Sequence, residues 1–187
     1  MARNLQAHIL HTASGLFYSH GIQATGIDAI VNASGVAKMT LYKYFPSKEA
    51  LVVAYLRKNA QDLLAQIHSG IQAKRIDQTA DKLLLVFDEF TKILASPGFR
   101  GCPFINAAAE YADPAHPVSQ AVAEFYRTLT EMLTELARQA GINKPQQLAG
   151  QLVMLISGAI VTEQIHKQGL AMPIAYATAQ QLIKLSQ

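Results

Sequence analysis

The sequence predicts an all-α protein in which a compact set of three short helices precedes a larger helical bundle. Apolar residues recur at intervals of three and four along almost the whole chain, which is the period of an amphipathic helix. No stretch of useful length alternates apolar and polar residues as a half-buried strand would. Proline and glycine interrupt the pattern at helical intervals, for example at Pro97, Pro114 and Gly141.

The first helix is indicated by an apolar stripe near the N-terminus. Gly21, which follows the stripe, is typical of a helix C-terminus. Thr25 and Asp28 then resemble a capping box that opens a short second helix over residues 27–33, and Gly35 stops this helix. The stripe of the first helix consists of Leu5, Ile9, Ala13, Leu16 and Phe17.

A third helix is predicted over residues 36–45, because Pro46 cannot continue it. Ser47 is a good N-cap for a long fourth helix, and Glu49 in the first turn interacts favourably with the helix dipole. Further helical patterns, separated by proline and glycine breaks, cover residues 78–96, 102–112, 116–140, 145–168 and 173–185.

Positive charge is concentrated in the first third of the chain. The net charge of +3 divides into +4 for residues 1–58, with six cations and two anions, and −1 for residues 59–187, with ten and eleven. A basic segment joined to a nearly neutral one predicts a polyanionic partner for the first segment and a different task for the second.

Composition favours a soluble, cytoplasmic protein without a membrane span. The N-terminus has no apolar run typical of a signal peptide, and the longest apolar run, residues 152–161, is about half the ~20 residues of a membrane helix. Cys102 is the only cysteine, which excludes an internal disulfide and a thiolate zinc site. We expect no metal or cofactor, and no P-loop, Rossmann, G-x-S-x-G or H-E-x-x-H motif indicates an enzyme.

The second and third helices, with Gly35 in the turn between them, have the layout of a helix-turn-helix. Leu41 and Phe45 lie four residues apart and would face inwards together with Val36. Lysine can reach guanine or phosphate, methionine and threonine can touch a thymine methyl, and a tyrosine hydroxyl can donate to phosphate. The outward face carries these residue types, namely Lys38, Met39, Thr40, Tyr42 and Lys43.

Two residues at helix N-termini are candidates for phosphate contacts. Lys48 in the first turn of the fourth helix opposes the helix dipole, a cost that makes sense if the lysine and the helix N-terminus both face a phosphate. Thr25 is similarly placed at the start of the second helix.

Residues 5–51 resemble the N-terminal domain of TetR-family (tetracycline-repressor) transcriptional regulators. The likeness is dense in GIQATGIDAIVNASGVAKMTLYKYFPSKEAL, residues 21–51. It implies a helix-turn-helix DNA-binding domain over residues 1–46 and a ligand-binding and dimerisation domain over residues 47–187. It further implies a homodimer that binds a palindromic operator in double-stranded DNA, usually to repress, and that a small-molecule effector releases. Ala37 departs from the usual Ser or Thr, a lost N-cap worth about 1 kcal/mol.

The resemblance also implies roles for eight residues at the DNA interface. The residues that would face bases or nearby phosphates are Lys38, Met39, Thr40 and Lys43. The residues that would hold the DNA backbone are Thr25, Tyr42, Tyr44 and Lys48.

The last two helices are predicted to form the dimer interface, because small residues alternate there with Leu152, Leu155 and Ile156. Two such helices from each copy would build a four-helix bundle. An intramolecular core without an interface is the alternative. The small residues are Ala149, Gly150, Ser157, Gly158 and Ala159.

A pocket for the effector would be mostly apolar with a few convergent polar groups. Asn106 and Gln164 are the most informative candidates, because buried amides must be paired and a ligand could pair them. For each candidate, packing into the core is the alternative. The full set is Phe87, Phe90, Phe104, Asn106, Phe125, Tyr126, Met154 and Gln164.

Three other interpretations remain open. Cys102 at a helix N-terminus could be a redox sensor, although the chain has no second cysteine to resolve an oxidised one. An architectural DNA-binding dimer without an effector would explain the bundle by dimerisation alone. A helical enzyme that uses Cys102 or Ser157 with a histidine would leave the basic segment unexplained.

Overall fold

The computed structural model describes residues 2–73 and 79–187, and the side chains of these residues apart from 2–4 and 79. The described residues form nine α-helices and no strand, which confirms the predicted all-α class. The helices are α1 Ala2–His20, α2 Ile27–Ser34, α3 Lys38–Tyr44, α4 Lys48–Ala73, α5 Thr79–Leu94, α6 Pro103–Glu110, α7 Pro117–Gln139, α8 Pro145–His166 and α9 Ala171–Ser186.

Most predicted helix ends lie within two residues of the observed ones. The start predicted for the fifth helix, residue 78, lies outside the described residues. The break expected at Pro173 is displaced, because α9 begins at Ala171 and Pro173 lies in its first turn. A proline is tolerated there, since the first backbone N–H groups of a helix have no partner within the helix.

The chain divides into two compact units. The first, which we call the head unit, comprises the described part of Met1–Ala60 together with Pro103–Phe125. The second, the bundle unit, comprises Gln61–Cys102 and Tyr126–Gln187 without the undescribed residues. Helix α6 therefore groups with the N-terminal helices. The functional division that we predict after residue 46 stays a prediction.

The core of the head unit is built from one face of each of its helices. Ile9, Ala13 and Phe17 of α1 are buried, as the predicted stripe requires, and so is Ile30 of α2. The Phe17 ring packs at an angle against Tyr55 of α4, with ring centroids 5.6 Å apart. Such aromatic contacts add to the free energy gained by burying apolar area.

Thr25 is not the N-cap of α2, and the predicted capping box is wrong. The N-cap is Gly26, without a side-chain hydrogen bond. The Thr25 side chain is buried, and its hydroxyl lies 2.7 Å from the carbonyl oxygen of Gly21 and 3.3 Å from that of Leu16. Thr25 therefore donates chiefly to the carbonyl oxygen of Gly21, just after the end of α1, and closes the turn between α1 and α2.

Ser47 caps α4 as predicted. The backbone N–H of Ala50 donates to the Ser47 hydroxyl oxygen over 3.1 Å. Hydrogen bonds from the backbone N–H of Glu49 and from Ser47 hold the pKa of the Glu49 carboxyl below its ordinary value near 4.5. The start of α4 is thus fixed locally by residues next to Pro46.

The bundle unit is centred on α5, α8 and α9. Phe87 of α5 is fully buried and meets Tyr176 of α9 edge to face, with ring centroids 6.4 Å apart. Glu163 near the end of α8 is buried, and its carboxylate accepts hydrogen bonds from the backbone N–H groups of Gly169, at 2.6 Å, and Ala171, at 3.3 Å. A carboxylate at the N-terminus of α9 also suits the helix dipole.

Helix α8 is, among the described residues, the one helix long and apolar enough to cross a membrane by length and composition. The sequence analysis counted only the continuous apolar run of residues 152–161, whereas the helix that contains this run extends from Pro145 to His166. Leu148, Leu152 and Ile156 of α8 are buried within the bundle unit. A core helix of a water-soluble bundle has the same composition.

Candidate nucleic-acid and partner interfaces

Helix α3 has one buried and one exposed face. Leu41 and Phe45, the residue after the helix, are buried, and they anchor α3 to the head unit. Met39 is 86% exposed and Tyr42 41% exposed. Lys38 and Lys43 are also exposed, so the face predicted to read DNA points away from the core. Met39 therefore lies on the face of α3 that is open to another molecule.

The turn before α3 is set by Gly35. This residue caps α2 with φ 67°, in the left-handed region that favours glycine, and its N–H donates to the Val31 carbonyl oxygen over 2.9 Å. Ala37 is the N-cap of α3 and has no side-chain oxygen to offer, as the sequence indicates. The first N–H groups of α3 therefore have no side-chain cap.

Lys38 is paired with Asp28 of α2. The Lys38 ammonium lies 2.8 Å from the Asp28 carboxylate, and both side chains are largely exposed. This hydrogen bond and the negative charge of Asp28 raise the pKa of Lys38 above its ordinary value. Lys38 is therefore charged at neutral pH and oriented along the gap between the two helices.

Lys48 is placed against the turn between α1 and α2. Its ammonium lies 3.4 Å from the carbonyl oxygen of Gln23, and the side chain is half-buried. Thr40 and Tyr44 are also half-buried, so they border the exposed face of α3 rather than form its centre. These positions leave Lys43, Met39 and Lys38 as the most accessible of the predicted residues.

Thr25 uses its hydroxyl within the head unit. The side chain is only 3% exposed, and its hydroxyl already donates to the carbonyl oxygens of Gly21 and Leu16. The phosphate contact predicted for Thr25 stays a prediction, and the hydroxyl would have to leave these carbonyl partners to donate to a phosphate. Its observed role is to close the turn from α1 to α2, on which Lys48 rests.

A second exposed surface lies on α8 and α9. Gly150 and Gly158 of α8 have open space where a side chain would be. Large apolar residues share this exposure at helical intervals. We call them, together with the two glycines, the apolar stripe, and they are Met154, Val161, Ile165, Leu170, Ile174 and Leu185.

Comparison with known proteins identifies the family. Residues 9–55 match the model of bacterial regulatory proteins of the tetR family, and residues 79–179 match that of the tetracyclin repressor-like C-terminal domain. The crystal structure of SCO4454, a TetR-family transcriptional regulator from Streptomyces coelicolor, is 32% identical. It covers 97% of this chain and 95% of its own, with a TM-score of 0.90. This chain belongs to the TetR family.

Two further relatives have names that describe their function. YxaF of Bacillus subtilis, an HTH-type transcriptional regulator, is 29% identical over 85% of this chain and 84% of its own length. The HTH-type transcriptional repressor KstR2 of Rhodococcus jostii is 32% identical over 70% of this chain and 58% of its own length. This TetR-family chain is a transcriptional regulator that binds DNA, and its family consists of regulators rather than enzymes.

The effector candidates of this TetR-family protein are distributed over both units. Phe104 and Phe125 of the head unit are buried and stack with ring centroids 3.6 Å apart, and Asn106 of α6 is half-buried. Phe87 and Phe90 are buried in the bundle unit. The aromatic residues are therefore well packed side chains, which is the alternative that the sequence left open for them.

Polar candidates of the bundle unit lie beside the chain before α6. The Tyr126 and Ser157 hydroxyl oxygens are 3.5 Å apart, and burial raises the pKa of Tyr126. The Gln164 amide occupies the space where a side chain at Gly101 would lie. Gly101 also has φ 95°, so it has two reasons to be glycine.

Met154 lies at an exposed position in the single chain. Its side chain is 68% exposed on α8 and belongs to the apolar stripe. The pocket role of Met154 stays a prediction, and its exposure could not be foreseen because the helical pattern does not reveal which apolar face of α8 stays uncovered. The exposed position suits a contact with another molecule.

Two cavities in the bundle unit are lined by other residues. An open groove of about 330 Å³ lies between the start of α8 and the end of α9, bordered by Lys144, Gln147 and Leu182. A smaller cavity of about 80 Å³ lies beside Glu163 and Met172. Neither includes a predicted effector residue. Within the described ranges, no group of three or more His, Cys, Asp or Glu side chains could hold a metal.

One contact of the head unit could not be foreseen from the sequence. The Glu110 carboxylate, at the end of α6, accepts hydrogen bonds from the backbone N–H groups of Ile22 and Gln23. The partners are 88 and 87 residues apart, so no local pattern predicts the contact. The one local sign is an acidic residue in the last turn of a helix, where it opposes the dipole.

Proposed function

We propose that this TetR-family regulator is a cytoplasmic homodimeric repressor that binds a palindromic operator and is released by a small-molecule effector. The observation that carries the proposal is the exposed face of α3. Lys38, Met39 and Lys43 lie on this face, and Leu41 on the opposite face is buried and anchors the helix. Residues of these types match the major-groove chemistry of base edges and phosphates. The relative KstR2 is a transcriptional repressor.

The residues of the interface would divide into two classes. Lys38, Met39, Thr40 and Lys43 would face bases or adjacent phosphates, because they lie on or beside the exposed face of α3. The residues that would contact the DNA backbone are Tyr42, Tyr44 and Lys48. Phosphate contacts set affinity for all sequences, whereas base contacts set the preference among them.

Dimerisation would occur through the apolar stripe. Large apolar side chains on α8 and α9 are exposed in the single chain, and Gly150 and Gly158 leave room for close approach of a partner helix. A symmetric pair of helices from each copy forms a four-helix interface. Two recognition helices about 34 Å apart would then reach successive major grooves of a palindrome.

Effector binding in the C-terminal domain would act through α4. This helix begins at Lys48, directly after its N-cap Ser47 and the helix-turn-helix, and the boundary between the two units falls within it. A tilt of α4 would change the separation of the two recognition helices in the dimer. The effector shifts DNA affinity only to the extent that it binds the two arrangements differently.

The proposal is tested by selecting bound molecules from random-sequence duplex DNA over several rounds and sequencing them. An enriched inverted repeat supports a symmetric operator reader and supplies the duplex for effector screens. Sequence-independent retention alone would reduce the protein to an architectural DNA-binding dimer. Release of the enriched duplex by a small molecule then separates a sensor from a constitutive repressor.

Lys43→Ala and Lys48→Ala separate the two classes of contact on that duplex. We expect Lys43→Ala to alter the preference among operator bases at a cost of about 1–3 kcal/mol. Lys48→Ala should weaken binding to all sequences alike and lower the slope of log K against log salt by about 1. Fluorescence anisotropy over a salt series measures both, and wild-type behaviour of both variants would contradict the residue assignment.

A further inference from the structure

We propose that Glu110 is a positioning residue for DNA binding, which acts on the DNA through Lys48. Its carboxylate accepts hydrogen bonds from the turn between α1 and α2 and fixes the position of that turn. A carbonyl oxygen of the same turn then holds the Lys48 ammonium at the end of α4 that is proposed to face DNA. The inference rests on the phosphate-binding role proposed for Lys48, and the experiment below tests the two separately.

The clamp consists of two hydrogen bonds to adjacent backbone groups. The N–H of Ile22 donates to Glu110 Oε1 over 3.0 Å, and the N–H of Gln23 donates to Oε2 over 2.6 Å. Both carboxylate oxygens are used, so the two contacts fix the direction of the carboxylate as well as its distance. Hydrogen bonds to an ionised acceptor are about twice as strong as neutral ones.

Gln23 connects the clamp to Lys48. Its N–H is held by Glu110, and its carbonyl oxygen accepts a hydrogen bond from the Lys48 ammonium over 3.4 Å. One of the three ammonium protons is thereby directed at the turn, and the other two are left for solvent or a phosphate. The position of the turn therefore sets the position of the cation.

The turn is anchored at its two ends, where the N–H of Gly21 donates to the Phe17 carbonyl oxygen over 3.0 Å and the Thr25 hydroxyl donates to the Gly21 carbonyl oxygen over 2.7 Å, and Glu110 holds the part between them. Gly21 has φ 93°, and Gln23 and Ala24 are exposed, although Ile22 is buried. Glu110 Oε1 lies 3.5 Å from the place where a Gly21 side chain would begin, so glycine allows the carboxylate to come close. Grouping of α6 with the head unit agrees with a contact that fixes α6 to this turn.

The charge of Glu110 is costly at this place, which argues that the contact has a function. A carboxylate in the last turn of α6 opposes the helix dipole. A negative charge in the DNA-binding unit also repels phosphates. Removing the charge would therefore strengthen DNA binding if electrostatics alone mattered, whereas loss of the clamp would weaken it. A purely electrostatic effect and loss of the clamp therefore predict opposite changes in DNA affinity when the charge of Glu110 is removed.

The first experiment measures binding of Glu110→Ala and Glu110→Gln to short random-sequence duplex DNA over a salt series. We expect both variants to bind about 3- to 10-fold more weakly, a loss comparable to that of one phosphate contact. Glu124→Gln is the matched control. It removes the same charge from an exposed residue of the same unit, where Glu124 lies 3.2 Å from Arg57, and it should bind as tightly as wild type or more tightly.

A double-mutant cycle tests whether the effect passes through Lys48. Glu110→Ala should have little further effect when combined with Lys48→Ala, but it should keep its full effect when combined with Lys43→Ala. Hydrogen exchange at the Ile22 and Gln23 amides should accelerate in Glu110→Ala, while exchange at the Leu41 amide stays slow in a folded head. Glu110→Gln keeps one acceptor and the side-chain volume, so it carries the test if Glu110→Ala unfolds.

Four results would overturn the inference. The first is unchanged or tighter binding by Glu110→Gln. The second is an equal loss from Glu110→Ala in the Lys43→Ala and Lys48→Ala backgrounds. The third is unchanged hydrogen exchange at Ile22 and Gln23. The fourth is wild-type binding by Lys48→Ala, which would overturn both the proposed phosphate role of Lys48 and the inference that rests on it. If Lys48→Ala binds DNA more weakly but the Glu110 variants bind like wild type, only the inference about Glu110 is overturned.

Discussion

At the scale of single residues, the ion pair between Lys38 and Asp28 determines how much positive charge α3 offers. Both side chains are largely exposed, so the pair contributes little to the stability of the fold. The raised pKa of Lys38 means that the stabilisation is present at neutral pH and is lost only as the pH rises through that raised value. If Lys38 contacts DNA as proposed, the pair has a larger consequence, because Asp28 would compete with phosphates for the ammonium.

Asp28→Asn should therefore increase affinity for DNA of every sequence. The substitution removes a negative charge from the binding surface and frees Lys38, so we expect binding to random-sequence duplex to tighten about 2- to 5-fold at low salt. Preference for the operator over random sequence should fall. Anisotropy titrations with both duplexes measure this, with Glu124→Gln as the control for charge alone. If Asp28→Asn and Glu124→Gln tighten DNA binding equally, the ion pair between Lys38 and Asp28 has no effect on DNA affinity beyond its charge.

Sequence reasoning about individual side chains succeeded where the neighbours along the chain decide the outcome. Leu41 and Phe45 are buried and Met39 and Lys43 exposed because their helical spacing fixes their faces. It failed at Thr25, which was predicted to cap α2. The Thr25 hydroxyl instead donates to the carbonyl oxygens of Gly21 and Leu16. The turn that brings these carbonyls near is a tertiary feature, which spacing does not reveal.

At the scale of elements, the start of α4 shows how local chemistry fixes a helix end. The Ser47 hydroxyl accepts the N–H of Ala50, and Glu49 has its pKa lowered by its own N–H and by Ser47. A carboxyl with a lowered pKa stabilises the folded state above its unfolded pKa. That stabilisation is lost as the pH falls through the lowered value.

Glu49→Gln should consequently cost stability at neutral pH but not in acid. We expect a loss of a few tenths of a kcal/mol in the free energy of unfolding at pH 7, because the side chain is only half-buried and interacts with the first turn of α4. The difference from wild type should vanish at an acid pH well below the lowered pKa of Glu49, where both side chains are uncharged. Urea unfolding at the two pH values measures it. A difference that persists in acid would exclude a charge effect.

The connection between α8 and α9 depends on a contact within the bundle unit. Glu163 accepts the N–H groups of Gly169 and Ala171, and Lys167 adopts φ 53°, which is unusual for a lysine. A buried carboxylate satisfied by two backbone donors both closes this turn and caps α9.

Glu163→Ala should destabilise the protein by roughly 1–3 kcal/mol, because it leaves two N–H groups at the start of α9 without their acceptor. Glu131→Ala, on the exposed side of α7, is the control and should change stability by less than about 0.5 kcal/mol. Thermal unfolding of both variants at one protein concentration provides the comparison. Similar melting temperatures would mean that water replaces the carboxylate without cost.

The order of the helices was predictable from the sequence, but the way they associate was not. Glycine and proline mark helix ends through their own backbone preferences, so Gly21, Gly35 and Pro46 were informative. By contrast, the grouping of α6 with the N-terminal helices depends on contacts between distant segments, such as Glu110 with Gln23. The exposure of Met154 likewise depends on what the remaining helices leave uncovered.

At the scale of the whole molecule, the apolar stripe is the feature that argues for a second copy of the chain. Its large side chains are exposed on two neighbouring helices of a family whose members bind DNA as regulators. Exposed apolar area of this kind is costly in a monomer and is removed from water in an obligate dimer. Gly158 lies within the stripe, with open space around it.

Gly158→Phe should therefore separate the copies without harming the fold of each. The phenyl ring has room in a single chain but would obstruct a partner helix. Gly15→Phe is the matched control, since Gly15 also lies inside a helix with open space around it but on α1. Sedimentation equilibrium should give twice the 20.3 kDa chain mass for wild type and Gly15→Phe. If Gly158→Phe dimerises with the same affinity as wild type, the apolar stripe is not the dimer interface.

The shortness of α3 has a consequence for how the regulator responds to heat. A helix of seven residues does not form alone in water, so the proposed DNA-reading surface on α3 exists only while Leu41 is buried in the folded head unit. DNA that binds the folded form alone adds RT ln(1 + [DNA]/Kd) to its stability. The melting temperature should accordingly climb with operator concentration, and occupancy of DNA and integrity of the fold would be lost together on warming.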